Sequence, residues 1–183
     1  MRLASVSDRI HAAGAEVLAV SVDDEVRQAG MFARWPTPNV RYVSDPGGER
    51  ILRPIGLFDA EERGGIALPA LVVLDSDGSE VYRYQGRDFA DRTHDDDVID
   101  ALVALDLPEL SEPPAGGPTG VEVPDDLDRF FKADHLLPYF RGNRFGAVAI
   151  GGRIEDRELR GIAREHRLMA DGILEAWKAV TSN

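Results

Sequence analysis

Two acidic segments contain the side chains whose types and spacing come closest to a metal site. The first, Asp75-Ser-Asp-Gly-Ser-Glu80, has carboxylates at its first, third and sixth positions and is similar to the opening of a calcium-binding loop. Such a loop needs its glycine at the sixth position and a bidentate acid about twelve residues from its start. Here the glycine is the fourth residue of the segment and lies between two predicted strands. We therefore interpret the segment as a hairpin turn.

Histidines supply the other candidate ligands. His94 precedes three aspartates at 95–97, but successive helical residues do not face one point. An acidic first turn of a helix explains this segment, because carboxylates stabilise the positive end of the helix dipole. His166 falls on an apolar helical stripe and is expected in the core, whereas His11 is expected on a helix surface. The sequence thus predicts no metal site.

The chain of 183 residues contains no cysteine. Disulfides, thiolate metal sites and thiol nucleophiles are therefore excluded within it. No glycine-rich phosphate-binding loop follows a predicted strand, and no Gly-x-Ser-x-Gly elbow is present. We expect no cofactor, and no residue is assigned a catalytic role.

Charge and hydropathy narrow the class of protein. The net charge of −12 disfavours a nucleic-acid partner, because no basic surface is available to neutralise phosphates. No stretch approaches the roughly 20 apolar residues of a membrane span, so no membrane partner is expected. Residues 1–10 have no apolar run of the kind that signal peptides need. A cytoplasmic location is expected.

Hydrophobic periodicity predicts alternating helices and strands. The runs at 16–22 and 70–75 are continuous and β-branched, which is typical of strands buried on both faces. Periodicity and turn residues predict the other elements: helices at 2–13, 25–35 and 95–105, a short helix near 49–52, strands at 40–44 and 80–85, and a loop at 56–68.

The C-terminal third has a different composition. Residues 107–126 are rich in proline and glycine and predict a linker or an ordered wrap-around segment. A long terminal helix follows from a 3/4-spaced apolar stripe that starts at Leu159 and ends at Val180. An aromatic cluster is expected in the core: Phe130, Phe131, Tyr139, Phe140 and Phe145. The predicted domains are 1–106, 107–126 and 127–183.

A family resemblance rests on three segments. Leu68-Pro-Ala-Leu-Val-Val-Leu-Asp-Ser-Asp-Gly78, residues 84–92 and residues 137–145 resemble the peroxiredoxin-like alkyl hydroperoxide reductase/thiol-specific antioxidant family. The resemblance implies an α/β fold: a thioredoxin-like sheet flanked by helices, N-terminally truncated, with a mainly helical C-terminal extension. It also implies that Leu68 and Pro69 flank the active centre, with Pro69 as a cis-proline.

Members of that family begin with a strand that ends in a cysteine motif, and the resemblance places Met1 inside the helix that follows it. The missing strand would lie between the strands at 16–22 and 70–75. Either those two strands pair directly, or another chain supplies a strand, or the natural protein starts upstream. The last of these is the expectation, since unpaired backbone groups in a core are costly.

Three functions remain open from the sequence. The first is a peroxiredoxin-like antioxidant oxidoreductase that is inactive as a thiol peroxidase in this chain, because the nucleophile is absent. The second is a non-enzymatic interaction protein on a decayed thioredoxin fold, forming a homodimer through an exposed sheet edge or the terminal helix. The third, a glutathione-transferase-like arrangement, requires glutathione binding near Leu68 and Pro69 and fits the short helical part poorly.

Overall fold

The computed structural model describes residues 2–62, 64–86, 93–113, 115–118 and 120–181, except for the side chain of Arg2. The chain divides into two compact units, Met1–Phe130 and Phe131–Asn183. The first unit is mixed α/β and the second is helical. None of the helices described is long and apolar enough to cross a membrane.

The elements of the first unit follow the predicted order. They are a 3₁₀ turn (Arg2–Val6), α1 (Ser7–Ala12), β1 (Val17–Ser21), α2 (Glu25–Arg34), β2 (Val40–Ser44), a 3₁₀ turn (Pro46–Gly48), β3 (Phe58–Asp59), β4 (Ile66–Ala67), β5 (Ala70–Leu74), β6 (Glu80–Gln85) and α3 (Asp95–Val103). Helix α2 begins where predicted because the Asp24 carboxylate accepts a 2.8 Å hydrogen bond from the backbone N–H of Arg27.

Two local predictions are wrong. No helix forms at 49–52, where the backbone instead turns around the buried Asp45 carboxylate, which accepts N–H groups of Arg50, Ile51 and Leu52. Burial raises the pKa of Asp45, but these hydrogen bonds outweigh it and leave the pKa below its ordinary value. The expected loop at 56–68 contains β3 and β4, which pair antiparallel.

Within the residues that the structure describes, the strands form three separate two-stranded sheets. β1 pairs parallel with β2, in a register that runs from Val17 opposite Val40 to Ser21 opposite Ser44. β5 pairs antiparallel with β6, with an irregularity between Val73 and Leu74. The predicted hairpin is therefore confirmed.

One hydrophobic core serves both of the longer sheets. It is built from Ile10 and Ala13, Val73 of β5, and Val98, Ile99 and Leu102 of α3, and both Val17 of β1 and Leu71 of β5 pack against it. His11 is buried, so its predicted surface position is wrong. The segment after α3 returns to α1, where Leu110 N–H donates to the His11 carbonyl at 2.9 Å.

The described part of the proline- and glycine-rich segment, 107–113, 115–118 and 120–126, includes residues that pack against β2. Gly117 forms a parallel bridge with Arg41 on the outer edge of β2. Its N–H donates to the Val40 carbonyl at 2.7 Å, and its carbonyl accepts from Tyr42 at 3.4 Å. This outer edge of β2 is thus covered by the chain itself.

The second unit is a helical hairpin. A 3₁₀ turn (Ala133–His135) leads into α4 (Leu136–Gly151), which packs against α5 (Arg157–Thr181). The predicted aromatic core is only partly correct: Phe130 and Phe140 are buried, whereas Phe131, Tyr139 and Phe145 are exposed. Helix α5 covers one side of α4, and α4 is apolar on several sides, so Tyr139 and Phe145 of α4 are exposed.

Candidate functional site

The candidate site is a pair of unpaired strand edges, one on β1 and one on β5. Both strands contribute side chains to the same core, yet among the described residues β1 pairs only with β2 and β5 only with β6. Direct pairing of these two strands, one of the three alternatives, is therefore excluded for the described part of the chain. We call the free backbone edges of β1 and β5 the open edges.

The β1 open edge can be assigned residue by residue. The N–H and C=O of one residue in a parallel strand point to the same neighbour, and successive residues alternate. The Ser21 carbonyl accepts from Asp45 N–H at 2.8 Å, next to the end of β2. Ser21, Ala19 and Val17 therefore face β2, and the backbone groups of Leu18 and Val20 point to the open edge.

The β5 open edge follows from the same alternation. Gly86 N–H donates to the Pro69 carbonyl at 2.7 Å, and Asp75 N–H donates to the Ser79 carbonyl at 2.8 Å. Odd-numbered residues of β5 therefore face β6. The backbone groups of Ala70, Val72 and Leu74 point to the open edge.

Both strands are more exposed than predicted. Leu18 of β1 is 47% exposed and Leu74 of β5 is 54% exposed, and most of the other β1 residues are half-buried. The prediction that both strands are buried on both faces is thus wrong for this structure. Their sequences remain those of fully buried strands, which have neighbours on both sides.

Leu68 and Pro69 lie immediately before β5. Both are half-buried, and their backbone groups hold the approach to β5: Leu68 N–H donates to the Leu57 carbonyl at 2.9 Å, and the Pro69 carbonyl accepts from Gly86. The Leu68–Pro69 peptide bond is trans, so the implied cis-proline is wrong. A trans bond is compatible with the extended backbone that a residue before proline prefers.

The acidic segments have structural roles. Ser79 N–H donates to the Asp77 carboxylate at 2.8 Å, and hydrogen bonds from Ser79 lower the pKa of Asp77. In the first turn of α3, Asp96 forms a 2.9 Å ion pair with Arg9. No group of three or more potential ligands in the described residues is arranged to hold a metal ion. Of the motif at 84–92, residues 87–92 lie outside the described residues.

His166 is half-buried on α5, and its Nε2 lies 2.9 Å from Asn143 Oδ1 on α4. The sequence predicted the apolar stripe on which His166 lies, but not this partner, because nothing in the order of residues specifies how two helices are rotated.

Comparison with known protein families, curated proteins and solved structures finds no match to this chain.

Proposed function

We propose that this chain is a thioredoxin-like, peroxiredoxin-like domain that binds one extended strand between β1 and β5. The observation that supports the proposal is that two apolar strands share a core while their open edges have no partner in the described part of the chain. The proposal assigns this strand to a segment outside the 183 residues, either in the same polypeptide or in a partner. The domain thus acts by strand addition.

The proposal places a single strand between the open edges. Neighbouring strands lie about 4.8 Å apart, so one inserted strand separates β1 and β5 by roughly 10 Å. The groups on Leu18 and Val20 then bond one side of the insert, and those on Ala70 and Val72 bond the other. An insert connected to β1 through α1 runs parallel to β1, because a right-handed crossover through a helix joins parallel strands.

In this proposal the reactive group lies on the inserted strand. Within this chain no thiol is available, so peroxide reduction needs a cysteine on the inserted segment. Its thiolate attacks a peroxide oxygen, the O–O bond breaks, and the sulfur becomes a sulfenic acid while the other oxygen leaves as water or an alcohol. A dithiol reductant then returns the sulfenic acid to the thiol: its first thiol forms a mixed disulfide and releases water, and its second thiol displaces the cysteine and leaves the reductant as a disulfide. Leu68 and Pro69 flank this centre.

The test is a grafted strand. A β-branched five-residue strand ending in cysteine is fused ahead of Arg2, and a matched graft ends in serine. We expect both grafts to slow amide exchange at Leu18 and Val72, and only the cysteine graft to consume peroxide with a dithiol reductant. A Gly/Ser segment of equal length that ends in cysteine controls for the chemistry of a free thiol.

The second candidate function is strand binding without catalysis. The absence of a thiol among the 183 residues favours it, since the open edges exist without a thiol nucleophile. Slow exchange in both grafts, with no more peroxide turnover from the cysteine graft than from the Gly/Ser control, supports this candidate. Fast exchange at both strands in either graft contradicts strand binding altogether.

A further inference from the structure

We infer that the helical hairpin formed by α4 and α5 is a dimerisation surface whose partner is the same hairpin of a second copy. The inference starts from an open groove between the two helices, with a volume of about 750 Å³. Twelve residues line it: Pro138, Tyr139, Gly142, Asn143, Gly146, Ala147, Ile150, Ile154, Leu159, Ile162, Ala163 and His166. All of them belong to the second unit.

The two sides of the groove differ in shape. The α4 side contains Gly142 and Gly146, one helical turn apart, and a Cβ added at either would meet no atom within 4 Å. The α5 side presents Leu159 and Ile162, which are 53% and 56% exposed. One hairpin therefore has a recess at Gly142 and Gly146 beside a ridge formed by Leu159 and Ile162. A two-fold axis places the ridge of each copy in the recess of the other. The product is a four-helix bundle.

The available area suits a weak dimer. Four large side chains of the groove are 41–56% exposed: Tyr139, Ile150, Leu159 and Ile162. If each of these buries about 100 Å², one copy buries roughly 400 Å² and the pair roughly 800 Å², in the range of weak and transient interfaces. A hairpin of two helices buries few side chains by itself: Phe140, Ala147 and Ala170 are the buried residues of α4 and α5. A second hairpin supplies the missing side of a bundle core.

Charge favours this part of the chain for self-association. Residues 131–183 contain nine basic and seven acidic side chains, a net charge of +2, within a chain whose total is −12. Residues 1–130 consequently carry −14. Two copies that meet through their hairpins bring together nearly neutral segments of the chain. Added salt is expected to strengthen the dimer by screening the repulsion that remains.

Sedimentation velocity of the full chain over a micromolar concentration series tests the inference. We expect a reversible monomer–dimer equilibrium whose dissociation constant falls as salt rises from 50 to 500 mM, concentrations chosen to span strong and weak screening. Gly146→Leu fills the recess and is expected to raise the dissociation constant at least tenfold. Gly161→Leu, on α5 outside the groove, is the matched control and leaves the dimer intact.

The ridge provides a second matched pair. Ile162→Glu places a charge on the groove and is expected to leave a folded monomer, whereas Leu168→Glu changes a residue that is 51% exposed outside the groove and leaves the dimer. Far-UV circular dichroism checks that each variant is folded. A wild-type monomer at all concentrations overturns the inference, as does equal loss of the dimer in both members of a pair. Binding of a monomer to vesicles of phosphatidylcholine and phosphatidylglycerol would assign the groove to a lipid surface instead.

Discussion

A proline scan of β1 separates its paired edge from its open edge. Ala19→Pro removes an N–H that faces β2, whereas Leu18→Pro removes one that points to the open edge. Proline is tolerated where a strand edge needs no donor. The two positions are adjacent in one strand, so local chain flexibility is nearly matched between them.

The expected magnitudes differ because only one variant loses a ladder hydrogen bond. In Ala19→Pro the lost bond and the carbonyl left unpaired on β2 lower the free energy of unfolding by about 3 kcal/mol. In Leu18→Pro the cost is the partly buried side chain, about 1 kcal/mol, since Leu18 is already 47% exposed. Leu18→Ala measures that side-chain loss separately.

Urea denaturation followed by far-UV circular dichroism measures both variants. The prediction is that Leu18→Pro matches Leu18→Ala within roughly 0.5 kcal/mol, the usual range for substitutions that remove no buried interaction. Equal destabilisation by Leu18→Pro and Ala19→Pro would show that both edges of β1 are paired. That result would refute the assignment of the open edge.

Three further predictions concern stability. Asp45→Asn is expected to lower the urea midpoint at pH 7. The difference from the wild type should shrink as the pH falls through the lowered pKa of Asp45, because the ionised carboxylate stabilises the fold only at pH values above that pKa. A pH-independent difference would contradict this. Gly30→Ala is expected to cost about 1–3 kcal/mol, because a Cβ there collides with the Phe130 ring, whereas Gly142→Ala, in open space, should gain up to about 1 kcal/mol; the urea midpoints of the two variants decide. Phe140→Ala is expected to cost about 3–5 kcal/mol, measured by thermal melting, because this ring is 2% exposed; a change below about 1 kcal/mol would show that the hairpin core lies elsewhere.

Local signals were enough to predict most elements of the first unit. The helix predicted from residue 25 begins there, where Asp24 caps it, and the turn predicted from Asp75 to Ser79 joins β5 and β6. Both predictions succeed because capping and turn chemistry act over a few residues. The same kind of signal failed at Asp45. Its carboxylate accepts hydrogen bonds from residues five to seven positions further along the chain. Hydrophobic periodicity does not indicate a contact over that distance.

The candidate site was predictable only in part. The apolar runs of β1 and β5 indicated strands that need neighbours. Which backbone groups point to the open edges was not predictable, because it depends on how β1 pairs with β2 and β5 pairs with β6. The exposure of Phe145 and the recess at Gly146 were not predictable either, because they depend on how α4 is rotated against α5.

Residue-resolved amide hydrogen exchange of the unmodified chain tests the central claim most directly. The open edges predict an alternating pattern: fast exchange at Leu18, Val20 and Val72, and slow exchange at the neighbouring Ala19 and Val73, whose N–H groups face β2 and β6. Such alternation at both strands would show two unpaired edges available to an added strand. Uniformly slow exchange along both strands would contradict the account, because it would mean that the sheet is already closed.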